Sequence, residues 1–193
     1  MAVPEFDYAR PYDLMVGLWN GMATSYDAQG RYLISVPSLV AIYWKRPYTL
    51  LHYRQDELPD LDERLEGHPH ASAMAKIVHH SFDLKITGKS CVSTAASHDD
   101  VRVAGTETRP GIYLFHLMFK EGHYYNNQYF TDPNERQIIG PFVATTNAAE
   151  PASRRRSTSA APVGEIQVVV AQTFSRLSYE VPSQYKRPLR PTE

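Results

Sequence analysis

The chain has 193 residues and a mass of 21.9 kDa, and 42% of its residues are hydrophobic. This length suits one hydrophobic core, so we expect a single domain over residues 1–193. Its 20 basic and 21 acidic residues give a net charge of -1, which argues against nucleic acid or an anionic membrane as a partner. Cys91 is the only cysteine, no apolar run approaches the ~20 residues of a membrane span, and the first residues carry no signal-peptide pattern. These features predict a cytoplasmic protein without disulfides.

Runs of β-branched and aromatic residues, bounded by Gly, Asp, Asn and Pro, predict short antiparallel strands joined by tight turns. In chain order they cover residues 18–26, 31–36, 39–45, 49–55, 77–87, 89–94, 100–108, 112–119, 124–130, 137–145 and 165–176. Only residues 11–16 and 60–66 predict helices, and neither is long enough to cover a sheet.

These elements predict an all-β protein. A sheet of about ten strands without covering helices must close on itself or fold into a sandwich, because open edges invite aggregation. Short connections between successive strands favour an antiparallel up-and-down barrel over a Greek-key sandwich, which needs long crossing connections.

Two segments have a composition unlike the strands. Residues 147–164 are rich in Ala, Ser, Pro and Arg without an aromatic residue, which predicts a flexible loop. Its Arg154-Arg155-Arg156 run could contact a phosphate or belong to a solvated insertion, and the near-neutral charge of the chain favours the insertion. From residue 182 onwards, several prolines predict an extended C-terminal tail.

The segment Gly17-Leu18-Trp19, followed by a turn ending at Gly30, resembles the opening of lipocalin-like (calycin) barrels. In that superfamily the tryptophan closes one end of the barrel beneath an arginine of the last strand. The resemblance implies that Trp19 has this position and that Arg176 stacks on its ring. Trp19 is then a marker of the fold and has no catalytic role.

The hairpin over residues 111–130 supplies the main candidate ligand site. A two-residue turn at Glu121-Gly122 pairs His116 with Asn127 and places His116, Tyr125, Asn127 and Tyr129 on one face. We predict that this face lines the interior. Both faces of the hairpin are apolar, so the pattern alone does not decide which face is the inner one. A hydrogen-bonded polar cluster in the core without a function is an equal alternative, because buried His and Asn side chains are normally hydrogen-bonded.

His80 is a second candidate for the interior. In a strand over residues 77–86 it shares the apolar row of Phe82 and Leu84, while His79 points to solvent. His68 and His70 lack an obvious third ligand, so no metal site is expected, and Cys91 fits a small buried side chain.

Two functions remain open from the sequence. The first is a binding module that holds a small hydrophobic or aromatic molecule inside the barrel without a cofactor. The second is a cofactor-free lyase, isomerase or cyclase in which His116 or His80 moves a proton on a hydrophobic, polyketide- or terpenoid-like substrate. Both a monomer and a homodimer are compatible with either function.

Overall fold

In a computed structural model, described for residues 10–56, 60–94, 101–145 and 164–186, ten antiparallel strands close into a barrel. Each strand pairs with its neighbours along the chain, and β10 pairs with β1. The predicted up-and-down barrel is thereby confirmed. The strands are β1 (Gly17–Asp27), β2 (Tyr32–Arg46), β3 (Leu50–Asp56), β4 (Ser81–Thr87), β5 (Ser90–Ser93), β6 (Arg102–Arg109), β7 (Ile112–Phe119), β8 (Gly122–Asp132), β9 (Glu135–Ala144) and β10 (Ile166–Ser178).

Alternating side chains place the hydrophobic core inside the barrel. In β10, Val168, Val170, Gln172 and Phe174 are buried, while residues 169, 171 and 173 are half-buried or exposed. Because successive side chains of a strand point to opposite faces, this period of two defines an inner and an outer surface. The inward rows of the strands join in one apolar cluster.

β2 is one strand where the sequence predicted two, over residues 31–36 and 39–45. The break was expected at Pro37, which lacks the N–H group that a sheet requires. Pro37 pairs with Met22 of β1, so the strand continues through the proline on that side.

Two short helices, α1 (Leu61–Leu65) and α2 (Ala71–Val78), connect β3 to β4. The strand predicted over residues 77–87 is wrong in its first part, because Ile77 and Val78 end α2 and β4 begins at Ser81. The buried residues Ala73, Met74, Ile77 and Val78 follow helical spacing, which the strand interpretation overlooked.

Trp19 closes the end of the barrel that lies opposite α1 and α2. Its ring is fully buried, and its Nε1 donates to the carbonyl of Met15 over 2.9 Å. The guanidinium carbon of Arg176 lies 4.0 Å from the centre of the ring, as the resemblance implied. Arg176 also donates to the carbonyl oxygens of Leu14, Val16 and Pro133, and so ties this end together.

The predicted extended tail begins with structure. Ser183–Lys186 form a single 3-10 turn, and Val181 is buried against Leu18 and Ala41 on the outside of the barrel. The rest of that tail, from residue 187, and residues 147–163 of the predicted loop lie outside the described residues. Within the described ranges, no helix is long and apolar enough to cross a membrane.

Candidate functional site

The β7–β8 hairpin turns at Lys120-Glu121 instead of Glu121-Gly122, and this shifts the pairing of the two strands by two residues. His116 pairs with Tyr125 and Leu114 with Asn127. A shift of two residues keeps each side chain on its face, so the predicted set still lies together. It lies on the outside, however, because Tyr125 and Tyr129 keep 43% and 39% of their surface exposed.

The prediction that His116, Tyr125, Asn127 and Tyr129 line the interior is therefore wrong. The inner face carries the alternate residues, which are buried: Tyr113, Phe115, Leu117, Tyr124, Asn126 and Gln128. The neighbouring strand explains this choice. Gly105 of β6 faces Phe115, and a Cβ atom at residue 105 would lie 2.4 Å from the Phe115 ring. The aromatic ring fits inside because its partner has no side chain.

On the outside, His116 belongs to a surface cluster. Its Nε2 lies 2.9 Å from Nδ1 of His123, and its ring stacks on Tyr125 at 4.6 Å between ring centres. Partial burial and the neighbouring His123 lower the pKa of His116. These contacts satisfy the side chain on the outer surface of the barrel.

His80 lies inside, as predicted, although it follows α2 directly instead of standing within a strand. Its ring stacks with Tyr53 and Phe82 at 5.2 and 5.3 Å between ring centres. Burial lowers the pKa of His80 to about 3, so the ring is neutral at physiological pH. Its Nδ1 has no hydrogen-bond partner among the described residues.

Arg136 of β9 is an interior residue that the sequence interpretation missed. It is fully buried, with its guanidinium carbon 4.8 Å from the Trp19 ring centre and 4.6 Å from that of Phe174. None of its three side-chain nitrogens has a hydrogen-bond partner among the described residues. Burial lowers the pKa of Arg136 to about 10, and the nearby phenol of Tyr53 offsets part of this effect.

The inward direction of the Arg136 side chain could have been predicted from the period of two in β9. It shares the row of Ile138 and Phe142, which the sequence alone marks as apolar. An arginine near a hairpin end is usually read as solvent-exposed, because charged side chains are seldom fully buried.

Other polar groups of the interior also lack a partner among the described residues. They are the hydroxyl groups of Tyr113 and Tyr124, Oδ1 of Asn126 and Oε1 of Gln128. By contrast, Gln55 is bonded to Tyr53 at 3.3 Å and to Ser38 at 3.2 Å. Since buried polar groups in folded proteins are nearly always hydrogen-bonded, several orphans in one interior point to an additional occupant or to bound water.

The helical end of the barrel carries a cleft between α2 and the β7–β8 hairpin. Its lining residues are Pro69, His70, Ser72, Ala73, Lys76, Glu121, Phe142 and Gln167. Phe142 belongs to an inward-facing row, so the cleft leads from the surface towards the interior. Lys76 of α2 and Glu121 of the hairpin bridge it, with 2.5 Å between Nζ and Oε2.

A Ser81, His52 and Asp83 arrangement on the outer face has the order of a nucleophile, a base and an orienting acid. His52 Nδ1 lies 2.5 Å from Asp83, but the Ser81 hydroxyl is 3.4 Å from Nε2. Lys45 binds the other Asp83 oxygen at 2.8 Å. Partial burial alone would raise the pKa of Asp83, and the bonds to Lys45 and His52 lower it instead. We interpret this group as a surface ion-pair network.

The part of the chain that the structure describes contains no group of three His, Cys, Asp or Glu side chains that could hold a metal ion. Cys91 is buried, and burial raises the pKa of its thiol to about 11, so it is not an activated nucleophile.

The fold and the interior define this chain as a closed antiparallel barrel with polar groups inside. No protein-family model and no curated protein sequence matches it. Among solved structures, it is similar to a DUF3598-family protein of unknown function from Nostoc punctiforme, at 11% identity and a TM-score of 0.57. That match covers 91% of this chain but 53% of the Nostoc protein, so the chain spans about half its length.

A second similar structure is the S-type phycobiliprotein lyase CPES from Guillardia theta, with 11% identity and a TM-score of 0.52. The match covers 90% of this chain and 98% of the lyase. At this identity both likenesses concern the fold alone. The barrel agrees with the lipocalin-like resemblance of the sequence, but no family is assigned by these comparisons.

Proposed function

We propose that the barrel binds a small hydrophobic or aromatic molecule in its interior. The observation that carries this proposal is the combination of inward-facing rings with orphaned polar groups: Tyr113, Tyr124, Asn126, Gln128, His80 and Arg136. Ligand sites in proteins are mostly apolar with a few polar groups that fix orientation. His80, neutral and stacked on Tyr53, would contact the ligand with its ring and its free Nδ1.

Binding is favoured over acid–base catalysis by the position and pKa of the histidines. His116, one predicted proton carrier, lies on the outer surface. His80 lies inside, but a pKa of about 3 makes it a poor base near neutral pH, where a general base should titrate. A lyase, isomerase or cyclase would therefore need a proton carrier other than the two that the sequence suggested.

The test uses a fluorescent aromatic probe, pyrenebutyric acid, together with its neutral methyl ester. Trp19 and Trp44 are the only tryptophans, and Trp44 lies near the surface with a bond to Asp13. In a Trp44→Phe protein, quenching of Trp19 emission with pyrene emission reports a probe inside the barrel. If neither the acid nor the ester quenches Trp19, the proposal is wrong.

Adjacent valines of β10 provide matched controls. Val170 points inward and is fully buried, whereas Val169 points outward. Val170→Phe fills the interior and should weaken probe binding at least about tenfold, while Val169→Phe should leave it unchanged. Because overpacking can unfold a protein, Val170→Ala is the companion variant. It enlarges the interior and should retain or tighten probe binding.

A cytoplasmic location, a homodimer and the absence of nucleic-acid or membrane partners stay predictions from the sequence. Sedimentation velocity over a concentration series decides between a monomer and a homodimer.

A further inference from the structure

We propose, on the basis of the interior site above, that the bound molecule is an organic acid whose carboxylate pairs with Arg136. The guanidinium of this residue is fully buried, and none of its nitrogens is hydrogen-bonded among the described residues. A buried charge without a partner is strongly destabilising, so buried charges in folded proteins are paired with an opposite charge or bind a charged ligand.

No described carboxylate supplies that partner. The buried acid Glu107 lies near Tyr12 and Tyr113, where burial and the charge of Glu107 raise the phenol pKa values, and no bond joins it to the nitrogens of Arg136. The rings of Trp19 and Phe174 lie against the guanidinium of Arg136, and the neutral phenol of Tyr53 is near it. Rings stabilise a cation through their electron-rich faces, but they accept no strong hydrogen bonds.

The surroundings of Arg136 also favour an anionic ligand. The guanidinium of Arg176 lies against the same Trp19 ring, and burial, together with a smaller effect of the Arg136 charge, lowers the pKa of Arg176 to about 10. Two arginines thus create a positive potential at the closed end of the barrel. A carboxylate matches the planar fork of a guanidinium with two parallel hydrogen bonds, which is why we assign this acid group.

This geometry orients the ligand. Arg136 begins β9 at the Trp19 end, whereas Phe142 lies further along β9, where the cleft below α2 opens. The acid group would bind deep in the barrel and the apolar body would extend towards α2. Arg136 is fully buried, so a neighbouring side chain would have to turn aside before a carboxylate could reach it. We assign this movement to Tyr53, whose phenol is near the guanidinium.

The experiment compares pyrenebutyric acid with its methyl ester, which has the same ring but no charge, on the wild type and on Arg136→Met. We expect the wild type to prefer the acid at least about tenfold. Arg136→Met should weaken acid binding by about 10- to 100-fold, a range typical of charged hydrogen bonds, and should thereby remove the preference for the acid over the ester. Arg102→Met, which removes an exposed arginine of β6, is the matched control and should affect neither probe.

The outcomes separate this inference from the proposed function. Ester binding equal to acid binding in the wild type would overturn the carboxylate assignment while leaving the interior site intact. An equal loss of both probes in Arg136→Met would show a structural role for Arg136 and would also overturn it. If Arg136→Met does not fold, the preference of the wild type for the acid over the ester decides the question.

Discussion

At the scale of single residues, Gly17 makes the closed end of the barrel possible. Its φ angle is +144°, and a Cβ atom there would lie 2.6 Å from the carbonyl oxygen of Ser178 and 2.8 Å from Nη1 of Arg176. Because the glycine of the Gly17-Leu18-Trp19 segment has no side chain, it leaves the space that the Arg176 side chain occupies beside Trp19. The motif has a steric reason in this chain.

We predict that Gly17→Ala lowers the free energy of unfolding by about 2–4 kcal/mol, through backbone strain and displacement of Arg176. Gly88→Ala is the control, because Gly88 also has a positive φ angle but nothing within 4 Å of its added Cβ. The control should cost only about 1 kcal/mol. Urea unfolding measures both, and equal losses would show that the contact with Arg176 is unimportant.

The buried His80 should make stability depend on pH. Its pKa is about 3 in the folded chain and about 6.5 when unfolded, so the unfolded state binds more protons between these values. Stability is retained above about pH 6.5 and falls as the pH drops, by up to about 1.4 kcal/mol per pH unit.

His80→Phe, which keeps a ring between Tyr53 and Phe82, should remove this contribution. From about pH 7 to about pH 5 the wild type should lose about 2 kcal/mol more than the variant in urea unfolding. His52 and His116 are present in both proteins, so their titration cancels in the difference. Parallel pH profiles would show that His80 is not held neutral.

At the scale of elements, the sequence predicted a strand at the place of each of the ten, although it divided β2 in two and began β4 too early, because the turn residues and the period of two are local signals. It could not choose the inner face of the β7–β8 hairpin, where both faces are aromatic. That choice depends on Gly105 in the neighbouring strand, which is a property of the assembled barrel. Arg136 was missed for a related reason, since its row is visible in the sequence but its burial beside Trp19 is not.

The β9–β10 connection should tolerate deletion of the segment predicted to be a loop. Val143 pairs with Ile166, and the amide of Ala144 donates to Glu165 over 2.9 Å, so the chain leaves and rejoins the sheet at neighbouring points. Replacing residues 147–163 with a short Gly-Asn-Gly linker should change the melting temperature by less than about 2 °C, because loop length contributes weakly to stability. A loss of several degrees would show that the segment packs on the barrel.

At the scale of the whole molecule, the two ends of the barrel differ. The Trp19 end is tied by Arg176 to the carbonyl groups of Leu14 and Pro133. The other end is covered by α2, whose contact with the β7–β8 hairpin includes the partly exposed Lys76–Glu121 ion pair. A ligand would therefore pass through the helical end. An exposed ion pair of this kind contributes at most about 1 kcal/mol, so it can delay opening without preventing it.

We predict that Lys76→Glu, by replacing this attraction with repulsion, raises the association and dissociation rates of the pyrenebutyric methyl ester about two- to fivefold. The affinity should stay constant, because both rates depend on the same opening. The exchanged pair, Lys76→Glu with Glu121→Lys, should restore the slow rates, and Lys85→Glu on the outer face of β4 should change nothing. Stopped-flow quenching of Trp19 measures the rates, and added salt should accelerate the wild type but not Lys76→Glu. Unchanged rates in Lys76→Glu would place the route of the ligand elsewhere in the barrel.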